Sequence, residues 1–142
     1  MIDPEGTKIA LTADFPNITI VGNAANQVIV SQDWLDEIHE VENVYSDLMY
    51  EYYGTLFPLW DETAAAVMLD PSLITNSTKF YLDVDTSYAS PSYGNIHGYQ
   101  KALAPTVQNL REVNMVISVD GDKVKDLVKQ SVQYPKACSD WN

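Results

Sequence analysis

"VNMVISVDGDKVKDLVKQSV", residues 113–132, changes its periodicity in the middle. "NMVISVD" is a short apolar run of the kind a buried strand makes, and "DGD" at 120–122 is a turn that also caps a helix. In "GDKVKDLVKQSV" the apolar positions Val124, Leu127, Val128 and Val132 fall on one helical face. A strand running straight into an amphipathic helix is the unit from which α/β folds are built.

The rest of the chain repeats that alternation. "KFYLDVD" places Phe80, Leu82 and Val84 opposite Tyr81, Asp83 and Asp85, a strand pattern of period two that leaves both aspartates solvated. Residues 86–105, rich in Ser, Tyr, Gly and Pro, predict an irregular loop with room for a hairpin. "FPNITIVG" predicts a strand over Ile18–Val21 closed by Gly22. Asp3-Pro4-Glu5 is a helix start, with Asp as cap and Pro at the first helical position, and that helix runs to about Thr12. From Ser31 to Tyr53 the apolar residues Trp34, Leu35, Ile38, Val41, Tyr45, Leu48, Met49 and Tyr52 predict one long amphipathic helix capped by Ser31. After a break at Gly54–Pro58, a second helix runs through Ala64, Ala65, Val67 and Met68 and stops at Asp70-Pro71. Together these predict an α/β chain with a small open sheet, whose unpaired edge invites a partner.

Composition narrows the functions. The 142 residues suit a single domain, and 20 acidic against 8 basic residues give a net charge of −12. Such a balance argues against a nucleic-acid partner, because phosphate recognition needs an excess of Lys and Arg. No apolar run approaches the roughly 20 residues of a membrane span, and "IDPEG" after Met1 is not a signal-peptide pattern. The single cysteine, Cys138, permits no internal disulfide and is read as a bystander. Asn17-Ile-Thr19 and Asn76-Ser-Thr78 are glycosylation acceptors if the parent protein is secreted; nothing else in the sequence bears on localisation.

The candidate site is "FPLWDETAAAVMLDP", residues 57–71. Trp60 and Asp61 stand at the mouth of a helix. Two readings are open for each. Asp61 and Glu62 either complement the helix N-terminus electrostatically or face a ligand; Trp60 is either a core anchor beside Pro58 or a stacking surface. Tyr50, Tyr52, Tyr53 and Phe57 just upstream either belong to the core or rim a pocket. The two histidines are His39, in the long helix, and His97, in the loop.

Five motifs in order resemble the C-terminal part of the inosine-uridine preferring nucleoside hydrolase family. "IDPEG" (2–6) is similar to the family's DPEA helix start, and "ALTADFPNITIVG" (10–22) to the strand segment after it. "PLWDETAAAVMLDPSLI" (58–74) resembles the family's metal-ligand helix. "FYLDVDTS" (80–87) and then "VNMVISVDGDKVKDLVKQSV" resemble its closing strands and helix. The resemblance implies an open, mostly parallel sheet with flanking helices. Residues 1–142 would be the C-terminal part of that domain, with its N-terminal Asp-rich half absent. It also implies hydrolysis of the N-glycosidic bond of a ribonucleoside, with a calcium ion positioning the attacking water.

On that resemblance Asp61 matches the family's C-terminal calcium ligand. Trp60 matches the indole of the purine-preferring branch, standing where other members have a histidine acid, so the implied substrate is a purine ribonucleoside. The family's Asp-rich motif, with its general base, belongs near its N-terminus, and its ribose-binding Glu and Asn lie just upstream of DPEA. No catalytic residue is therefore expected within these 142 residues, and the chain alone is expected to be inactive. The alternative is a non-catalytic, truncated remnant acting as a partner-binding module or as a homo-oligomer.

Overall fold

A computed structural model describes residues 3–106 and 109–137; Met1 and Cys138 lie outside them. The elements in order are α1 (Pro4–Thr12), β1 (Thr19–Ile20), α2 (Gln32–His39), α3 (Val44–Tyr52), α4 (Trp60–Leu69), β2 (Ile74–Val84), β3 (Ile96–Tyr99), β4 (Glu112–Val119) and α5 (Gly121–Gln133), with 3₁₀ turns at Gly22–Gln27, Pro71–Leu73 and Lys101–Leu103. The strands form one open sheet in the order β1-β4-β2-β3. This is the expected α/β class with an open sheet, and its strand pairing is mixed. Parallel pairing is carried by β1 and β4, with Thr19 opposite Asn114 and Ile20 opposite Met115. β2 and β3 pair antiparallel, from Tyr81 opposite Tyr99 to Val84 opposite Ile96, and so supply the hairpin for which the 86–105 loop left room.

The chain divides into two compact units, and the division falls within β2 and β4. In the first, residues 1–20 and 77–116, Leu11, Leu82, Val84 and Val113 form a buried cluster with Ile18, Ile20, Phe80 and Met115 around it. Asp3 caps α1 by accepting from the Gly6 N–H at 2.9 Å. Asp83 departs from the solvated position that strand alternation predicts: it is 8% exposed. Its carboxylate takes the Lys8 ammonium at 3.1 Å and the Val84 N–H at 2.8 Å, two donors that offset the cost of burying a charge. Lys8 comes from α1, 75 positions away in sequence, which is why alternation within the strand gives no sign of it.

The second unit, residues 21–76 and 117–142, holds the candidate site. Its core is Val28, Val30, Leu35, Ile38, Leu59 and Val124, with Thr63 and Ser46 buried among them. The long helix predicted over Ser31–Tyr53 is two helices. Ser31 caps α2 as expected, accepting from the Trp34 N–H at 3.3 Å. The apolar spacing then continues through residues 40–43, but Asn43 adopts extended backbone and starts a new helix through a capping box with Ser46. Asn43 accepts from the Tyr45 and Ser46 N–H groups at 2.9 and 3.2 Å and donates to the Val132 and Gln133 carbonyls at 3.1 and 3.3 Å. A local capping preference plus a tether to α5 outweighs helical continuity. The consequence is that Tyr45, Leu48 and Tyr52, predicted as the buried stripe of one helix, are exposed on α3. Asn17 and Asn76 are exposed, and no helix among the described residues is long and apolar enough to cross a membrane.

Asn43→Ala removes both the cap and the tether, so it is expected to lower unfolding stability by about 1–2 kcal/mol. Ser31→Ala, which loses one long hydrogen bond, is expected to cost less. Urea unfolding of the two variants beside the parent checks the order; equal losses would show that the tether contributes nothing.

Candidate functional site

α4 begins where it does because the segment before it is pinned. The Leu56 N–H donates to the Val30 carbonyl at 2.8 Å, the Val30 N–H to Phe57 at 2.9 Å, and the Leu59 N–H to Val28 at 2.9 Å. Leu56 is held at φ 64°, the left-handed region that costs a non-glycine residue about 1–2 kcal/mol. Three backbone hydrogen bonds fix it there. The buried Leu59 side chain anchors the turn, and the buried Thr63 hydroxyl donates back to the Leu59 carbonyl.

This places Trp60 and Asp61 together on the first turn of α4, and both are open to solvent. Trp60 is 48% exposed, so it is not a core anchor. Its indole meets the Phe57 ring edge-on, with centroids 4.9 Å apart and planes at 63°, and its Nε1–H donates to Asn26 Oδ1 at 2.6 Å. Asp61 and Glu62 both lie in the first turn of α4, where their charge complements the helix N-terminus without a capping hydrogen bond. Leu59 is the N-cap and supplies no side-chain hydrogen bond, and neither carboxylate closes a capping ring. Glu62 instead accepts from the Tyr53 hydroxyl at 3.0 Å. Asp61 has no hydrogen-bond partner among the described residues, and its carboxylate faces water beside the helix N-terminus.

Tyr53 reports the electrostatics of this mouth. Partial burial, the hydrogen bond to Glu62 and the negative charges of Glu62 and Asp61 push its phenol up from 10.0 to about 12. Of the other aromatics, Phe57 belongs to the site through Trp60. Tyr50 stacks on His39, with centroids 4.4 Å apart, and His39 Nε2 lies 3.1 Å from Asp47, while Tyr52 is exposed. His97 lies on β3. Asn26 was not marked by the sequence at all: it lies 34 positions from Trp60 in a short 3₁₀ turn without a motif.

A calcium ion takes six to eight oxygen ligands. Among the described residues no group of three or more His, Cys, Asp or Glu side chains is placed to hold a metal. Asp61 offers a single free carboxylate, and its neighbour Glu62 is engaged by Tyr53. The described residues therefore do not make a calcium site by themselves.

A model of the family described as "Inosine-uridine preferring nucleoside hydrolase" matches residues 1–126. The chain belongs to that family. Among curated proteins it is 36% identical to an uncharacterized protein of Schizosaccharomyces pombe, over 73% of this chain and 30% of that one. Among solved structures it resembles a plant nucleoside hydrolase (TM-score 0.75, 21% identity, 94% of this chain and 46% of that one). It also resembles an inosine-guanosine nucleoside hydrolase (0.73, 15%, 94% and 45%). A third similar structure is an inosine-uridine preferring nucleoside hydrolase from Bacillus anthracis (0.72, 22%, 92% and 41%). The likenesses to solved structures support the fold. The chain spans less than half the length of each of these proteins.

The state of Tyr53 can be measured. Subtracting the alkaline absorbance titration of Tyr53→Phe from that of the parent is expected to isolate one phenol ionising near 12, and Glu62→Gln is expected to lower that value. Because the folded value lies above the unfolded one, the contribution of Tyr53 to stability is complete below pH 10 and is lost as pH rises toward 12. The parent should accordingly lose stability relative to Tyr53→Phe across that window. An isolated phenol titrating at 10 would show that neither burial nor the charges of Glu62 and Asp61 act on it.

Proposed function

We propose that this chain forms one wall of a nucleoside hydrolase site, in which Trp60 stacks on a purine base and Asp61 presents a carboxylate toward the ribose side. The observation that carries the reading is the exposed Trp60-Asp61 pair on the first turn of α4 in a chain of this family. Stacking on an indole is worth about 1–3 kcal/mol per base and favours the larger purine ring. An indole N–H does not protonate a leaving group, and here it is already committed to Asn26. Residue 60 thus binds the base and leaves its departure to other groups.

Asp61 would be one oxygen ligand of a calcium ion, with the remaining ligands and the general base supplied from outside these 142 residues. We assign no catalytic residue within the chain, and the reaction of the complete site would be hydrolysis of a purine ribonucleoside to base and ribose.

The second reading is a non-catalytic binding module. It is favoured by the apolar surface of this unit: Leu69, at 70% exposed, borders a groove of about 200 Å³ with Ala65, Leu127, Val128 and Val132. Release of base from inosine, guanosine and uridine, with calcium present, separates the two. The 142-residue chain is expected to release none. A longer chain that adds the family's Asp-rich motif is expected to cleave the purine nucleosides faster than uridine, and to lose that preference in Trp60→Ala. Failure of the longer chain on all three substrates defeats the enzyme reading. Turnover by the 142 residues alone would mean that the reacting groups lie elsewhere in this chain.

A further inference from the structure

We infer that Asn26 is a positioning residue that sets the plane of the Trp60 indole for stacking on a nucleobase, an inference that rests on the base-binding reading of Trp60. The indole Nε1–H is a donor with no acceptor capacity, so the Asn26 atom 2.6 Å from it is the amide oxygen. That assignment is consistent with the other end of the amide: Asn26 Nδ2 lies 3.4 Å from Asn23 Oδ1, as a donor should.

Asn26 itself sits on fixed backbone. Ala24 and Ala25 of the same turn are buried, as is Val28 just after it. The Val28 N–H closes the turn onto the Ala25 carbonyl at 3.1 Å, and the Gln27 side chain donates to the Ile117 carbonyl at 2.9 Å. The turn is therefore anchored on both sides of Asn26.

A half-exposed tryptophan has two side-chain torsions free to vary. Phe57, edge-on at 4.9 Å, restricts how the ring tilts, and Asn26 fixes how it rotates. An indole held before the base arrives does not lose that freedom on binding, which is the general source of affinity from preorganisation. The sequence carries no trace of this pairing, because the two residues belong to different elements joined through the bridge between Ile29 and Pro58.

The test uses the 142-residue chain and the ¹H–¹⁵N resonance of the Trp60 indole, identified as the one lost in Trp60→Phe. Asn26→Leu is expected to move that resonance upfield and speed its exchange with water. Asn26→Asp, which keeps an acceptor oxygen, is expected to preserve both. Inosine is then titrated into roughly the 10–100 mM range that one stacking contact commands. It is expected to shift the Trp60 resonance, with affinity about three- to tenfold weaker in Asn26→Leu and restored in Asn26→Asp. Far-UV circular dichroism of each variant checks that the helices are intact.

If Asn26→Leu leaves the indole resonance unmoved, or if it binds inosine as the parent does, the positioning role is wrong while base stacking stands. If inosine shifts no Trp60 signal in the parent, the base-binding reading fails and takes this inference with it.

Discussion

The backbone hydrogen bonds between residues 28–30 and 56–59 are the constraint on which the site depends. They hold Leu56 in a left-handed conformation that it would otherwise avoid, they bury Leu59, and they fix where α4 starts. The direction of Trp60 and Asp61 follows from that start. The same contact places the 3₁₀ turn of Asn26 within reach of the indole. Without it, Phe57, Trp60 and Asn26 would be three unrelated surface residues.

The electrostatics of the mouth follow from the same geometry. Glu62 takes the Tyr53 hydroxyl, and partial burial, that hydrogen bond and the negative charges of Glu62 and Asp61 together hold the phenol protonated well beyond its ordinary range. Asp61 keeps a free carboxylate at the positive end of a ten-residue helix. One carboxylate alone does not hold calcium, which takes six to eight oxygen ligands.

Most of the elements were legible in the sequence because they rest on local chemistry. Asp3 and Ser31 cap the helices expected of them, Asp70-Pro71 ends α4, and period-two and period-3.6 patterns mark β2 and α5. Misreadings arose where a distant residue decides the outcome. Apolar spacing runs unbroken through residues 40–43, yet Asn43 breaks the helix by capping α3 and holding α5. Asp83 alternates like a solvated residue, yet Lys8 brings it inside. At the site, Trp60 and Asp61 were visible because they are adjacent in the chain, and the motif order matched a family the chain does belong to. Asn26 and the Tyr53–Glu62 pair were not, since a hydrogen bond between separate elements leaves no spacing to read.

The central claim is that the first turn of α4 faces the nucleoside. Its most direct test is a crystal structure of a longer chain carrying the family's Asp-rich motif, with calcium and a purine ribonucleoside bound. The account predicts the base lying against the Trp60 indole and an Asp61 oxygen in the coordination shell at about 2.3–2.6 Å from the ion. An occupied site in which neither residue touches ion or nucleoside would contradict it.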